Sequence, residues 1–177
     1  MIRQILQHLG RIADDIVAWR PAAPNESVCE RFSPDEWHKI ADDIRSDKEW
    51  QQFVRSYDFV HVFVCSLRST GEPFGFIYLF EEAPPKPVVS FHGGCWDTTH
   101  PAVCCRGLIL LIDRLLSKGI KVRTSCNNHN TNAFRLLQAV GCVPYFRGTE
   151  YTYMWINSKR LHNSTIYKRL YHSKPIL

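Results

Sequence analysis

The sequence predicts a mixed α/β domain whose central sheet is mostly antiparallel, contains one splayed parallel pair of strands and is flanked by helices. Segment 88–142 reads as strand, helix, strand, helix, and two strands joined through a helix of this length are expected to be parallel. Turn signals on either side, Ser-Thr-Gly-Glu at 69–72 and Arg-Gly-Thr at 147–149, indicate β-hairpins. A chain of 177 residues is long enough for one domain with a sizeable core.

Segment 88–142 contains the strongest periodic signals. The β-branched and aromatic run Val88–Phe91 predicts a strand. The strand is expected to end there, because His92-Gly93-Gly94 loosens the backbone. Pro101 fits the first turn of a helix, Gly119 its end, and Ile120–Cys126 alternates as a second strand. The apolar residues of the helix recur at helical spacing: Val103, Leu108, Leu111, Ile112, Leu115 and Leu116.

A second helix follows the polar turn Asn127–Asn130. Asn130 is a suitable amino-terminal cap, and Gly141 is expected to end the helix. Its apolar face is formed by Ala133, Leu136, Leu137 and Val140. Both helices then begin at the carboxyl ends of parallel strands, where their unpaired N–H groups and partial positive charge favour a phosphate.

The stretch Asn130–Gly141, Asn-Thr-Asn-Ala-Phe-Arg-Leu-Leu-Gln-Ala-Val-Gly, resembles the second signature of the GNAT N-acetyltransferases. That signature is Asn, two residues, Ala or Ser, and then a helix that ends in Gly. The preceding strand, loop and helix occupy the place of the family's coenzyme A pyrophosphate loop. The likeness is greatest to the branch that acetylates protein N-termini, which also has an aliphatic residue at the position of Leu137.

The resemblance implies acetyl-CoA as the acyl donor and a cofactor site between the two parallel strands. Backbone groups near His92 and Gly93 would pair with pantetheine. Pyrophosphate would bind N–H groups of the loop and the helix start, which comprise Thr98, Thr99, His100, Ala102 and Val103. Asn130 would hold the loop or touch the cofactor. Amine acetylation also requires a base, for which His92 is the first candidate. It also requires a group for the leaving thiolate, for which the candidates are Ser125 and the backbone amide of Cys126. His129 and Glu150 are further candidates for the base.

The chain departs from the family pattern in three places, and in one of them Cys142 stands where the family usually has an aromatic residue. The family's pyrophosphate loop has Gln or Arg, then two residues, Gly, one residue, and finally Gly or Ala. Residues 97–102 of this chain read Asp-Thr-Thr-His-Pro-Ala, and only Ala102 fits that pattern. Leu137 stands where many members have a Tyr that protonates the thiolate. Two hypotheses therefore remain: an N-acetyltransferase that acts directly on a primary amine of a protein or small molecule, and a GNAT-fold protein that binds a ligand or partner without transfer.

The sequence predicts one domain over residues 1–156, which includes segment 88–142. Apolar residues of Met1–Trp19 follow a helical period, so we expect an amphipathic helix there, joined by a connection up to Arg31 with a short strand at Ser27–Arg31. Two more helices are expected from Ser33 and from Asp47. In the layout that the resemblance implies, this pair covers the acceptor side of the cleft.

Residues 157–177 form a basic carboxyl-terminal tail. The net charge of +5 arises there, because the tail has five basic residues and no acidic one, while 17 basic and 17 acidic residues balance elsewhere. Such a segment could contact nucleic acid or a ribosome. The alternative is a solvated, partly helical tail.

The seven cysteines show no regular spacing, so reduced thiols in a cytoplasmic protein are expected. Charged residues among the first twenty argue against a secretory signal, and no apolar run is long enough to span a bilayer.

His92 and Cys95, with Cys126 and His129, also form an HxxC and a CxxH that could in principle hold zinc, although we expect no metal site. A cysteine hydrolase built on Cys95 or Cys126 with His92 lacks a visible residue to orient the histidine.

Overall fold

In the computed structural model, eight strands of the described chain form one sheet in the order β1-β2-β3-β4-β5-β6-β8-β7. The structure describes residues 6, 9, 12–23, 26, 48, 61–81, 88–95 and 101–171. The strands are β1 Ile12–Ala13, β2 Val17–Pro21, β3 His61–Leu67, β4 Pro73–Glu81, β5 Val88–Cys95, β6 Lys121–Asn127, β7 Val143–Arg147 and β8 Tyr151–Ile156. The expected strand at 27–31 and the helices from Ser33 and Asp47 lie outside these residues.

Four helices of the described chain flank the sheet: α1 Pro101–Ser117, α2 Thr131–Val140, α3 Ser158–Asn163 and α4 Thr165–Tyr171. The core includes buried side chains of α1 together with residues of β3, β4 and β5: Ile109, Leu111, Ile112, Leu115, Phe63, Ile77, Leu79, Val89 and Phe91. The Trp19 indole N–H donates to the Gly107 carbonyl at 2.8 Å, which joins β2 to α1. A Cβ at Gly107 would lie 2.9 Å from Cys65 Sγ, so glycine lets the helix approach the sheet.

The mixed sheet agrees with the sequence prediction. β5 and β6 are parallel, and the remaining neighbours in the sheet are antiparallel. The hairpins β3–β4 and β7–β8 form around the predicted turns. Gly119 and Gly141 have positive φ, +75° and +108°, as expected for residues that end helices. Among the described helices, none is both long and apolar enough to cross a membrane.

The predicted helix over Met1–Trp19 is wrong for its second half, because residues 12–13 and 17–21 are strands. The Asp14 carboxylate accepts the N–H groups of Ile16 and Val17 at 2.8 and 2.9 Å, which closes a tight turn between the strands. Val17 and Trp19 then alternate as buried residues of β2. The helical period of the apolar residues did not reveal this local competition from the Asp side chain.

The basic carboxyl-terminal segment is folded as far as Tyr171. The Asn157 side chain caps α3 by accepting the Arg160 N–H, and Leu161 is 0% exposed in the core. His162 lies 2.8 Å from Asp113 of α1. These contacts join the segment to the domain, while residues 172–177 lie outside the described part.

Candidate functional site

The parallel strands β5 and β6 part towards their carboxyl ends. Their pairing covers only Val88–Ser90 and Lys121–Arg123. Beyond it, β5 keeps β4 as its partner as far as Cys95, and β6 keeps β8 as far as Asn127. A gap therefore opens between the two strands. The backbone edge of β5 that faces this gap pairs with no strand of the described chain.

The end of β5 differs from the sequence prediction, because His92–Cys95 continues the strand. Gly93 makes this pairing possible: a Cβ there would lie 2.3 Å from the Phe76 carbonyl oxygen. At the start of the gap, the buried Thr124 hydroxyl donates to the Phe91 carbonyl at 2.9 Å. This bond bridges the strands one residue past their last pair, so it fixes where they separate.

His92 lies on β5 at the gap, against two aromatic rings of β4 whose own centroids are 6.3 Å apart. Its imidazole stacks on Tyr78 and Phe80 at centroid distances of 5.4 and 5.5 Å. Burial lowers the pKa of this half-buried histidine to about 4, because the aromatic surroundings disfavour the charged ring. The ring is therefore neutral at physiological pH and can accept a proton only weakly.

Ser125 lies across the gap on β6. Paired residues of a parallel ladder share a face of the sheet, so His92 and Ser125, each two residues past the last pair, lie on the same face. Tyr153 of β8 is the register partner of Ser125 and lies on this face, 40% exposed. Sequence reasoning missed Tyr153, because only the register brings the last hairpin beside the gap.

The amino-terminal turn of α1 follows β5. Ala102 is exposed and Val103 half-buried in this turn, which contains no acidic side chain. The backbone N–H groups of a first turn have no partner within the helix, so they can bind an anion. Of the predicted pyrophosphate residues, Thr98, Thr99 and His100 lie outside the described residues, as does Asp97.

α2 begins beyond the end of β6. The Asn130 side chain accepts the Ala133 N–H at 3.0 Å and so caps the helix, as the sequence predicts. Its predicted contact with a cofactor remains a prediction. Leu137 is 7% exposed and belongs to the core, and its side chain has no group to donate a proton.

The fold of this chain is similar to that of several solved structures. A probable GNAT-family acetyltransferase from Chromobacterium violaceum matches with a TM-score of 0.70 at 10% identity, covering 85% of this chain and 87% of that one. Ribosomal-protein-S5-alanine acetyltransferase from Vibrio fischeri matches with a TM-score of 0.61 at 12% identity, covering 85% and 98%. RimJ from Mycobacterium smegmatis, solved in complex with CoA-disulfide, matches with a TM-score of 0.63 at 13% identity, covering 87% and 88%.

The chain has the GNAT fold. No family model and no curated protein sequence matches it. At these identities the likeness concerns the fold alone.

The residues of the zinc alternative flank the same gap in the GNAT fold. Cys126 is buried, whereas His129 is exposed in the turn that leads to α2. Within the described residues, no three His, Cys, Asp or Glu side chains are grouped as metal ligands. The gap therefore offers backbone donors and acceptors, a neutral histidine and hydroxyl groups as its chemistry.

Proposed function

We propose that the protein is an N-acetyltransferase that transfers an acetyl group from acetyl-CoA directly to a primary amine. The parting of β5 and β6 after Ser90 and Arg123 is the observation that carries the proposal. A gap between parallel strands exposes backbone amides along β5, and an extended chain of amides such as pantetheine can pair with them as an added strand does. His92 and Gly93 are the first residues of that edge.

The cofactor's pyrophosphate would lie at the amino terminus of α1. Partial positive charge and unpaired N–H groups favour a phosphate there, and the first turn has no acidic side chain to oppose it. Ala102 and Val103 contribute through their backbone, which explains how binding can survive the loss of the family's loop glycines. Thr98, Thr99 and His100 complete the proposed site, and Asn130 orders the neighbouring turn.

The weak basicity of His92 bears on the acceptor. A lysine ammonium with a pKa of about 10.4 would give its proton to a histidine of pKa about 4 only at a large cost, whereas an α-amine with a pKa of about 8 is partly neutral at pH 7.5. An α-amine thus needs no strong base before it attacks the thioester. We propose that the acceptor is a peptide α-amine or another weakly basic amine, and that His92 takes the proton once the C–N bond has formed.

The leaving thiolate needs a donor that Leu137 cannot supply. Ser125 and Tyr153 lie side by side on the face of the sheet that also carries His92. A hydroxyl from either residue can donate a hydrogen bond to the sulfur as the C–S bond breaks. Ser125 is the predicted donor, and Tyr153 is a second candidate from the register of β8.

A second candidate function is ligand or partner binding without transfer. The observation that favours it is Leu137, a buried apolar residue at the position where the resemblance implies a tyrosine acid. Coenzyme A binding without thiol release in any amine assay would support this alternative.

The test combines binding with turnover. Purified protein is mixed with acetyl-CoA and either a lysine-free peptide with a free α-amine or the same peptide, acetylated at its N-terminus and carrying one lysine. We expect release of free thiol, and an acetylated product by mass, with the first peptide. His92→Gln should lower kcat, and His162→Gln, an exposed histidine paired with Asp113, serves as the matched control. Absence of binding to acetyl-CoA would refute the proposal.

A further inference from the structure

Three thiols of different elements converge between the sheet and the start of α1. Burial and Cys104 in α1 raise the pKa of Cys65 of β3, and Cys104 raises that of Cys95 at the end of β5, so the three side chains lie close together. The adjacent Cys105 also raises the pKa of Cys95. The six cysteines that the structure describes carry reduced thiols, and Cys29 lies outside the described residues. None of these thiols has a part in the function proposed above.

Glycines make room for this cluster. A Cβ at Gly75, opposite Cys95 in the β4–β5 ladder, would lie 3.1 Å from Cys95 Sγ. Gly107 stands one turn after Cys104, and a Cβ there would lie 2.9 Å from Cys65 Sγ. The sulfur atoms therefore occupy space that any larger residue at these two positions would take.

Within the cluster, Cys95 and Cys104 are a distinct pair. Their side chains are hydrogen-bonded to each other, and both residues are half-buried. Cys65, by contrast, is 1% exposed. The hydrogen bond to Cys104, together with burial, raises the pKa of Cys95 far above the ordinary value of a thiol. Cys95 therefore keeps its proton and donates it.

Cys104 is placed to be the nucleophile of the pair. It lies at the start of α1, where the helix dipole stabilises a thiolate, and Cys95 supplies a hydrogen bond to that thiolate. A thiolate paired with a neighbouring thiol is the arrangement of a dithiol that exchanges with disulfides. We propose that Cys95 and Cys104 form a reversible disulfide that weakens binding of coenzyme A at the start of α1.

The exchange uses a low-molecular-weight disulfide as the oxidant. Cys104 first loses its proton to solvent, and its thiolate attacks one sulfur of the oxidant. The S–S bond of the oxidant breaks, and one small thiolate leaves and takes up a proton from solvent. Cys95 then loses its proton to solvent or to the second leaving thiolate and attacks Cys104 Sγ, which releases that thiolate. Two cysteine thiols are oxidised, and one small disulfide is reduced to two thiols.

The regulatory consequence rests on the function proposed above. A disulfide bond of about 2.05 Å is shorter than a contact between hydrogen-bonded sulfurs, so its formation draws the first turn of α1 towards the end of β5. That turn carries the N–H groups assigned to the pyrophosphate. Their displacement shortens the distance between the first turn of α1 and the backbone edge of β5, so the two halves of the cofactor site no longer match the spacing of pantetheine and pyrophosphate.

The first test identifies the pair chemically. Reduced protein is equilibrated with mixtures of oxidised and reduced glutathione, blocked with iodoacetamide, digested and analysed by mass spectrometry. We expect a Cys95–Cys104 linked peptide that dithiothreitol reverses. Cys105→Ser, which changes the adjacent thiol of α1, is the matched control and should form the link at the same glutathione ratio.

Single variants test the order of attack. Cys95→Ser should accumulate glutathione on Cys104, whereas Cys104→Ser should leave Cys95 as a thiol. The proposal would be overturned if Cys95 of Cys104→Ser carried as much glutathione as Cys104 of Cys95→Ser. A wild-type link between Cys65 and Cys104, or no link at all, would also overturn it.

The second test measures binding with desulfo-coenzyme A, which has no thiol and cannot reduce the disulfide. We expect the oxidised protein to bind about tenfold more weakly than the reduced protein, and oxidant to leave the affinity of Cys104→Ser unchanged. Equal affinities of the two wild-type forms would overturn the regulatory role. If the reduced protein fails to bind, the proposed function fails with its regulation, while the linked peptide still decides whether the dithiol exists.

Discussion

His92 shows how strongly its neighbours determine what one residue can do. A histidine at the end of a predicted strand suggests a base with a pKa near neutrality, which is what the sequence predicts. The ring stacks against Tyr78 and Phe80 instead, and burial there lowers its pKa to about 4. The sequence alone could place His92 at the end of the strand run Val88–Phe91, but the change in its pKa depends on rings that are distant in the chain and adjacent in the sheet.

This shift predicts a pH dependence of stability. The unfolded chain binds a proton at His92 near pH 6.5 and the folded chain only near pH 4, so stability is lost as the pH falls through that window. We expect wild type to lose about 1–3 kcal/mol more than His92→Gln between pH 7 and pH 4.5. Urea unfolding of both proteins at the two pH values measures the difference. Identical pH dependence would contradict the assigned environment.

At the scale of elements, the joint between α2 and α3 depends on a glycine. Gly141 has φ of +108°, and a Cβ there would lie 2.7 Å from the Arg160 carbonyl oxygen. Gly119 also has a positive φ, +75°, but open space surrounds it. The two helix ends therefore separate the effect of backbone strain from that of a close contact.

We expect Gly119→Ala to cost about 1 kcal/mol, because the left-handed backbone alone is strained. Gly141→Ala should cost about 1–3 kcal/mol more, since the methyl group also pushes α3 away from α2. Chemical unfolding of both variants provides the comparison. Equal losses would show that α3 does not pack on Gly141.

The bridge at the start of the gap gives a second prediction at this scale. Thr124→Val removes the bond to the Phe91 carbonyl and should cost about 1–2 kcal/mol. Thr152→Val is a matched control, because Thr152 is equally buried and donates to Asn128 within the neighbouring turn.

Both variants should lose similar stability by chemical unfolding. We expect only Thr124→Val to weaken acetyl-CoA binding, measured by calorimetry, because only this bond fixes where β5 and β6 part. A loss of affinity in Thr152→Val as large as that in Thr124→Val would count against this role.

For the whole molecule, the sequence predicted the parallel pair, both hairpins and the ends of α1 and α2, because strong local signals set these features. The pairing of β1 and β2 was missed, since it depends on the Asp14 turn and on partners in β3 and α1. Of the candidate site residues, the sequence placed Ser125 on the alternating strand Ile120–Cys126 and His92 just after the neighbouring strand. Tyr153 and the bridge of Thr124 were not predicted, because they arise from register between distant segments.

The basic carboxyl-terminal segment tests whether the fold extends beyond residue 156. Leu161→Ala should lower the free energy of unfolding by about 2–5 kcal/mol in a single transition, because a fully buried leucine leaves a cavity. Leu170→Ala, at a half-buried position of α4, is the control and should cost less. A loss below about 1 kcal/mol for Leu161→Ala would identify the segment as a detachable tail.

The central claim is that the edge of β5 at the gap and the first turn of α1 bind acetyl-CoA. Hydrogen exchange followed by mass spectrometry, with and without acetyl-CoA, tests it most directly. We predict that the cofactor slows exchange in peptides covering His92–Cys95 and the start of α1, and leaves the β3–β4 turn unchanged. Unchanged exchange at the gap, or protection confined to another part of the chain, would contradict the claim.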